Sequence, residues 1–203
     1  MPQAPKTLIE PGQYYHIYNR GVKKLSLFRD DQDYLRFLTL VKKYMEPVGE
    51  VLSFALMGNH YHLTVLMYPA NQIDPKFRKT PQTLGRTFGH LQNAYAKYFN
   101  TRYDKMSGVF ERSYERKRVL TLNYLRQLIV YHHLNPVKHG LELDFADYLW
   151  TSYQDLSSPL VESFLPKALV YDKFGGVEAF FAAHERPVPL ALADEAEFIR
   201  EDL

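Results

Sequence analysis

The chain has 203 residues, of which 46% are hydrophobic, 24% charged and 15% aromatic, the composition of a folded globular protein. No apolar run approaches the roughly 20 residues that span a bilayer, so no membrane-spanning helix is expected. Cysteine is absent, which excludes a disulfide framework, a thiolate metal site and a cysteine nucleophile. The net charge of +2 hides an asymmetry. Residues 1–140 hold 21 Lys and Arg against 10 Asp and Glu, a net of +11, while residues 141–203 hold 4 against 13, a net of −9. Such a split suits a polyanion-binding body that carries an acidic tail piece. The N-terminal stretch lacks the basic-then-apolar pattern of a secretory signal, and a cytoplasmic, nucleoid-associated setting is expected.

In chain order, the aromatic run Gln13–Asn19 reads as a strand that ends in the turn Arg20-Gly21. Asp30 or Asp31 then caps a helix over Gln32–Tyr44, with Tyr34, Phe37, Leu38 and Val41 at helical spacing. Val51–Met57 and Tyr61–Met67 read as two strands joined at Gly58-Asn59. A polar loop over residues 68–80 leads to a second helix over Pro81–Phe99, whose inner face carries Leu84, Phe88, Leu91 and Tyr95. Arg112–Leu120 reads as a basic edge strand. A third helix over Leu122–Leu134 is expected to stop at Asn135-Pro136, because proline disfavours helical backbone in its predecessor. The order β-α-β-β-α-β-α predicts an α+β, ferredoxin-like split βαβ fold, an antiparallel sheet with helices on one face. Residues 1–150 are expected to form the catalytic domain, and residues 151–203 an acidic, mostly helical extension with its clearest helix at Val177–His184.

Chemistry concentrates in two places. In a strand, residues i and i+2 share a face, so His60 and His62 project together while Tyr61 points away. On the third helix, Tyr124, Gln127, Tyr131 and Asn135 form a polar stripe opposite Leu122, Leu125, Leu128, Ile129 and His132. Two imidazoles and an amide oxygen suit Mg²⁺ or Mn²⁺, with positions left for water and a phosphate oxygen. Tyrosine beside such an ion becomes a candidate nucleophile. Tyr124 and Tyr131 lie about 10 Å apart along the helix, and Asn135 is one turn from Tyr131, which favours Tyr131. His132 and His133 are expected to be structural. His16, His90, His139 and His184 have no paired partner in the sequence and are expected to be surface or packed side chains.

At these residues the chain resembles the single-tyrosine HUH transposases, and within them the IS200-like family and its REP-associated tyrosine transposase branch. The resemblance rests on MetGlyAsnHisTyrHisLeu at 57–63 and TyrHisHisLeuAsnProValLysHisGly at 131–140. TyrHisIleTyrAsnArgGly at 15–21, GlyValPheGluArg at 108–112 and TrpThrSerTyr at 150–153 extend it. It implies His60, His62 and Asn135 as metal ligands and Tyr131 as the nucleophile. The bulky, apolar intervening position of the family is filled here by Tyr61. It further implies a transposase that nicks and rejoins single-stranded DNA next to hairpins through a 5′-phosphotyrosine link. A homodimer is compatible with it, as is a domesticated hairpin-binding protein that does not cut.

Nucleic-acid contacts are expected from a basic, aromatic-rich stretch over residues 76–118, which holds 11 Lys and Arg against three acids. Arg112, Arg116, Lys117 and Arg118 are its leading candidates, and Arg20, Lys23 and Lys24 form a second patch.

Overall fold

The computed structural model describes residues 7–77, 83–111, 113–158 and 160–185. β1 (Tyr14–Arg20) leads through a tight turn to α1 (Asp31–Met45). Then follow β2 (Gly49–Met57), β3 (His60–Met67), α2 (Thr83–Tyr103), β4 (Glu115–Val119) and α3 (Leu122–Lys138). The four strands pair antiparallel in the order β2-β3-β1-β4, the topology of a split βαβ unit. Beyond it lie the single-turn α4 (Tyr153–Leu156), α5 (Lys167–Phe174) and α6 (Val177–His184), the last with the bounds expected from sequence.

Local chemistry explains the elements. The Asp30 carboxylate accepts the backbone N–H groups of Gln32 and Asp33 and so caps α1. At the end of β1, Gly21 is required, because a Cβ there would stand 2.0 Å from the carbonyl oxygen of Leu25. The following Lys23 and Lys24 both adopt left-handed backbone, with φ of 48° and 58°. The start of the second helix expected at Pro81 lies outside the described residues, and α2 runs four residues further than the expected end at Phe99.

One prediction fails at α3. The helix does not stop before Pro136 but continues through it to Lys138. Proline removes only the bond its own N–H would donate. The backbone N–H of His139 still reaches the Asn135 carbonyl at 3.0 Å, and that of Leu141 reaches Pro136 at 2.9 Å. Asn135 is therefore inside the helix, with its side chain held one turn beyond Tyr131.

The sheet is covered on both faces. α1 and α2 lie on one side, where the Tyr61 ring meets Phe37 of α1 and its hydroxyl accepts a hydrogen bond from Gln92 of α2 at 2.8 Å. α3 crosses the other side, over His62 and Ser53. The one-face expectation thus holds for the two helices of the split βαβ unit, and the seventh element supplies the second layer. α5 and α6 pack on the outer side of α3, which buries that helix on nearly all sides.

Residues 150–152 close the sheet edge. The backbone N–H of Leu56 donates to Trp150 at 2.9 Å, that of Ser152 donates to Phe54 at 3.0 Å, and Ala55 bridges Thr151. Trp150 stacks flat on Tyr34 with centroids 4.3 Å apart.

The buried Tyr61 hydroxyl is the most direct test of this packing. Tyr61→Phe leaves the Gln92 amide without its partner in a closed core, and is expected to cost about 1–3 kcal/mol. Urea-unfolding midpoints of the two proteins measure it.

Candidate active site

Strand register sorts the side chains. Arg20 pairs with His60, Tyr18 with His62 and His16 with Thr64. On the other flank of β1, His16 pairs with Lys117 and Tyr18 with Glu115. Alternation along a strand then puts His16, Tyr18, Arg20, His60, His62 and Lys117 on the α3 face. Ile17, Tyr61, Arg116 and Arg118 fall on the α1–α2 face.

The two histidines of β3 meet edge to face, with centroids 5.3 Å apart. Each has its Nδ1 engaged. His60 Nδ1 donates to Asn59 Oδ1 at 2.7 Å, and His62 Nδ1 lies 2.9 Å from His16 Nε2. Both Nε2 atoms are buried without a hydrogen-bond partner.

α3 supplies the other wall. Tyr131, 3% exposed, stands edge-on to His62 with centroids 6.2 Å apart. Two turns on, His139 stands edge-on to His60 at 5.4 Å. Asn135 lies between them on the same stripe, fully buried, with neither amide atom hydrogen-bonded. Lys138 Nζ approaches the Tyr131 ring to 5.1 Å. The rival Tyr124 is only half-buried and stands beside Lys117, away from the histidine pair. The polar stripe seen in the sequence is thus buried where it meets the sheet, and Leu122 of the expected core face is exposed.

Three histidines expected to lack partners have them. His16 is buried against His62, and His132 also faces it. His132 Nδ1 is bonded to Ser53 Oγ at 2.9 Å. Among the described residues, His16, His62 and His132 form a group that could hold a metal ion, one nitrogen of each lying within 4.8 Å of the others. His184 pairs with His133 Nδ1 at 2.7 Å, and His133 Nε2 is 2.7 Å from Ser152 Oγ. That chain ties α6, α3 and the residue after Thr151 together, a structural role as expected for His133. His90 is exposed on α2. The sequence signal that could have found His16 is its place in the Tyr-His run of β1, two residues before Tyr18, on the face shared with His62.

Burial sets the protonation of the site. Desolvation, followed by the charges of His139 and Arg20, pushes His60 down to about 3. Desolvation together with the neighbouring histidines holds His62 well below its usual range, and desolvation and His16 do the same to His132. Near neutral pH these are neutral imidazoles with lone pairs available.

The predicted DNA contacts divide. Arg20 is ion-paired with Glu111 beside His60, and Lys23 and Lys24 are exposed on the adjoining turn. Lys117 is exposed on the histidine face. Arg116 Nη1 donates to Tyr114 at 2.6 Å on the opposite face, and Arg118 pairs with Glu10 at 2.9 Å. Arg112 lies outside the described residues.

No protein-family model matches the chain, and no curated protein matches it. Among solved structures it is similar to a REP-associated tyrosine transposase bound to a REP hairpin, with a TM-score of 0.62 at 12% identity, over 81% of this chain and 90% of that one. The likeness is one of fold. A bacterial tRNA(His) guanylyltransferase-like protein in complex with GTP also matches, at a TM-score of 0.41 and 11% identity, over 71% of this chain and 74% of that one. Among the described residues no helix is long and apolar enough to cross a membrane.

The depressed histidines make a pH prediction. The unfolded chain binds a proton on each of them near pH 6.5, whereas folded His60 resists protonation down to about 3. Stability is then fully present above pH 6.5 and is lost as pH falls from 6.5 towards 3, because the unfolded state binds more protons there. Urea midpoints measured on either side of pH 6.5 should show this fall, and His60→Asn should make it shallower.

Proposed function

We propose that this protein is a divalent-metal-dependent strand transferase that nicks and rejoins single-stranded DNA beside hairpins. One observation carries the reading: the nucleophile candidate Tyr131 stands edge-on to His62, and the Nε2 atoms of His60 and His62 and both amide atoms of Asn135 are buried without a hydrogen bond. Orphaned buried polar atoms are costly, and two imidazole nitrogens with an amide oxygen suit a Mg²⁺ or Mn²⁺ ion. The fold shared with a hairpin-bound tyrosine transposase supports the substrate class. The ordered motifs of the sequence support it independently.

In this reading His60 and His62 offer their Nε2 atoms, and Asn135 offers Oδ1. The bound ion would polarise the scissile phosphoryl group and neutralise the charge that develops on it. Tyr131 Oη attacks phosphorus, the bond from phosphorus to the 3′ oxygen breaks, and the departing strand gains a proton as a free 3′-OH. The phenolic proton leaves to solvent. The DNA 5′ end remains on Tyr131 as a phosphodiester, so attack by a second 3′-OH restores the DNA without ATP. His60, His62, Tyr131 and Asn135 come from one chain, so the proposed chemistry needs no residue from a second copy. Arg112, Arg116, Lys117 and Arg118 are proposed as phosphate contacts, and Arg20, Lys23 and Lys24 as a second patch for the hairpin stem.

Single-stranded oligonucleotides taken from the DNA that flanks the gene, chosen where it folds into hairpins, supply the test. With Mn²⁺ or Mg²⁺, the unmutated protein and Tyr124→Phe should give a covalent adduct on a denaturing gel. Tyr131→Phe should give none while still shifting the hairpin. Chelation should stop the adduct, and the metal should restore it. A gel shift without adduct from the unmutated protein would instead identify a hairpin-binding protein that does not cut.

A further inference from the structure

His62 is the most constrained side chain of the site, and the constraint comes from another histidine. A neutral imidazole carries one proton, and an ion held at Nε2 requires that proton to be on Nδ1. For His60 the requirement is met by Asn59 Oδ1, which can only accept. For His62 the facing atom is His16 Nε2, 2.9 Å away. His16 is itself buried and stacked on His62, with ring centroids 5.1 Å apart and planes 24° from parallel. On its other flanks it is packed against Tyr18 at 4.7 Å and His132 at 5.3 Å. It sits on β1, a central strand hydrogen-bonded to β3 and β4, so its position is rigid.

We infer that His16 is a positioning residue that fixes the Nδ1–H tautomer and the ring angle of His62, so that the His62 Nε2 lone pair is aimed at the ion. His16 accepts through Nε2 and keeps its own proton on Nδ1. The inference rests on the metal reading of His60, His62 and Asn135. Direct ligation through His16 Nε2 is the competing role, and the two exclude each other, because that nitrogen lies 2.9 Å from His62 Nδ1. An ion on the trio of His16, His62 and His132 would have to displace that hydrogen bond.

Two measurements test it, neither relying on activity. Long-range ¹H–¹⁵N NMR correlations report the proton position of each imidazole. His62 should be an Nδ1–H tautomer in the unmutated protein and in His16→Gln, whose amide oxygen can accept near the same point. It should shift towards Nε2–H in His16→Phe, which keeps the ring but offers no acceptor. Mn²⁺ affinity, followed by electron paramagnetic resonance, should fall about 10–100-fold in His16→Phe and recover in His16→Gln. Unchanged tautomer and affinity in His16→Phe would overturn the inference. A loss of affinity in both variants would also overturn it and make His16 a ligand. An unmutated protein that binds no Mn²⁺ would refute the metal reading, and the tautomer measurement would still decide the role of His16.

Discussion

The period of two along β3 is the constraint from which the rest follows. β3 is an interior strand, paired on one edge with β2 and on the other with β1, and both faces of the sheet are covered. Tyr61 therefore must enter one core and His60 and His62 the other. On the Tyr61 side the demand is ordinary, a large ring between Phe37 and Phe110 with one hydroxyl satisfied by Gln92. On the histidine side it is costly. Two imidazoles desolvated by α3 must be neutral, and each needs a partner for its N–H. Asn59 and His16 supply those partners. What is left over is two buried Nε2 atoms without a hydrogen-bond partner, the donors of the proposed metal site.

The segments that support this geometry come from far apart in the chain. The run after Gly108 lies along the end of β1: Val22 donates to Val109 at 3.0 Å, Gly21 bridges Phe110, and the Glu111 backbone and carboxylate both meet Arg20. Arg20 is thereby held opposite His60. At the other edge of the sheet, residues 150–152 extend β2, and Ser152 reaches His133 on α3. α3 is thus tethered to the sheet by Ser53 through His132 and by Ser152 through His133. Side chains offered from strands and a helix braced in this way hold their geometry better than side chains on loops.

Much of this was legible. Strand-forming runs, turn residues and helical spacing were enough for the βαββαβ order, even though β2 and β3 are buried on both faces. The pairing of His60 with His62 followed from strand alternation. Three features were not legible, each for a physical reason. α3 is buried on nearly all sides, between sheet and terminal helices, so the apolar face expected to be its core does not mark all that it buries, and Leu122 of that face is exposed. Its passage through Pro136 depends on the bonds made beyond the proline, which no local preference encodes. His16 meets His62 only through the register of β1 on β3, 46 residues away in the chain. The division of Arg116, Lys117 and Arg118 between faces has the same origin, since alternation is readable but the orientation of β4 against β1 is not.

The charge asymmetry takes on a local meaning beside the site. His60 and His62 are neutral near pH 7, the Asn135 amide is uncharged, and no carboxylate belongs to the proposed ligand set. A divalent ion held by such donors in a desolvated place would carry its charge nearly uncompensated, which is expensive. The anion that would offset it is the scissile phosphate itself. Binding of metal and of DNA would then be linked, each raising the affinity for the other by the same factor. Lys23, Lys24 and Lys117 are exposed, and in the proposed reading they would hold the flanking phosphates without burying charge. A carboxylate ligand would remove that linkage by satisfying the ion in the absence of DNA. A ligand set of imidazole and amide would thus let the ion bind alone but more tightly once the strand is present.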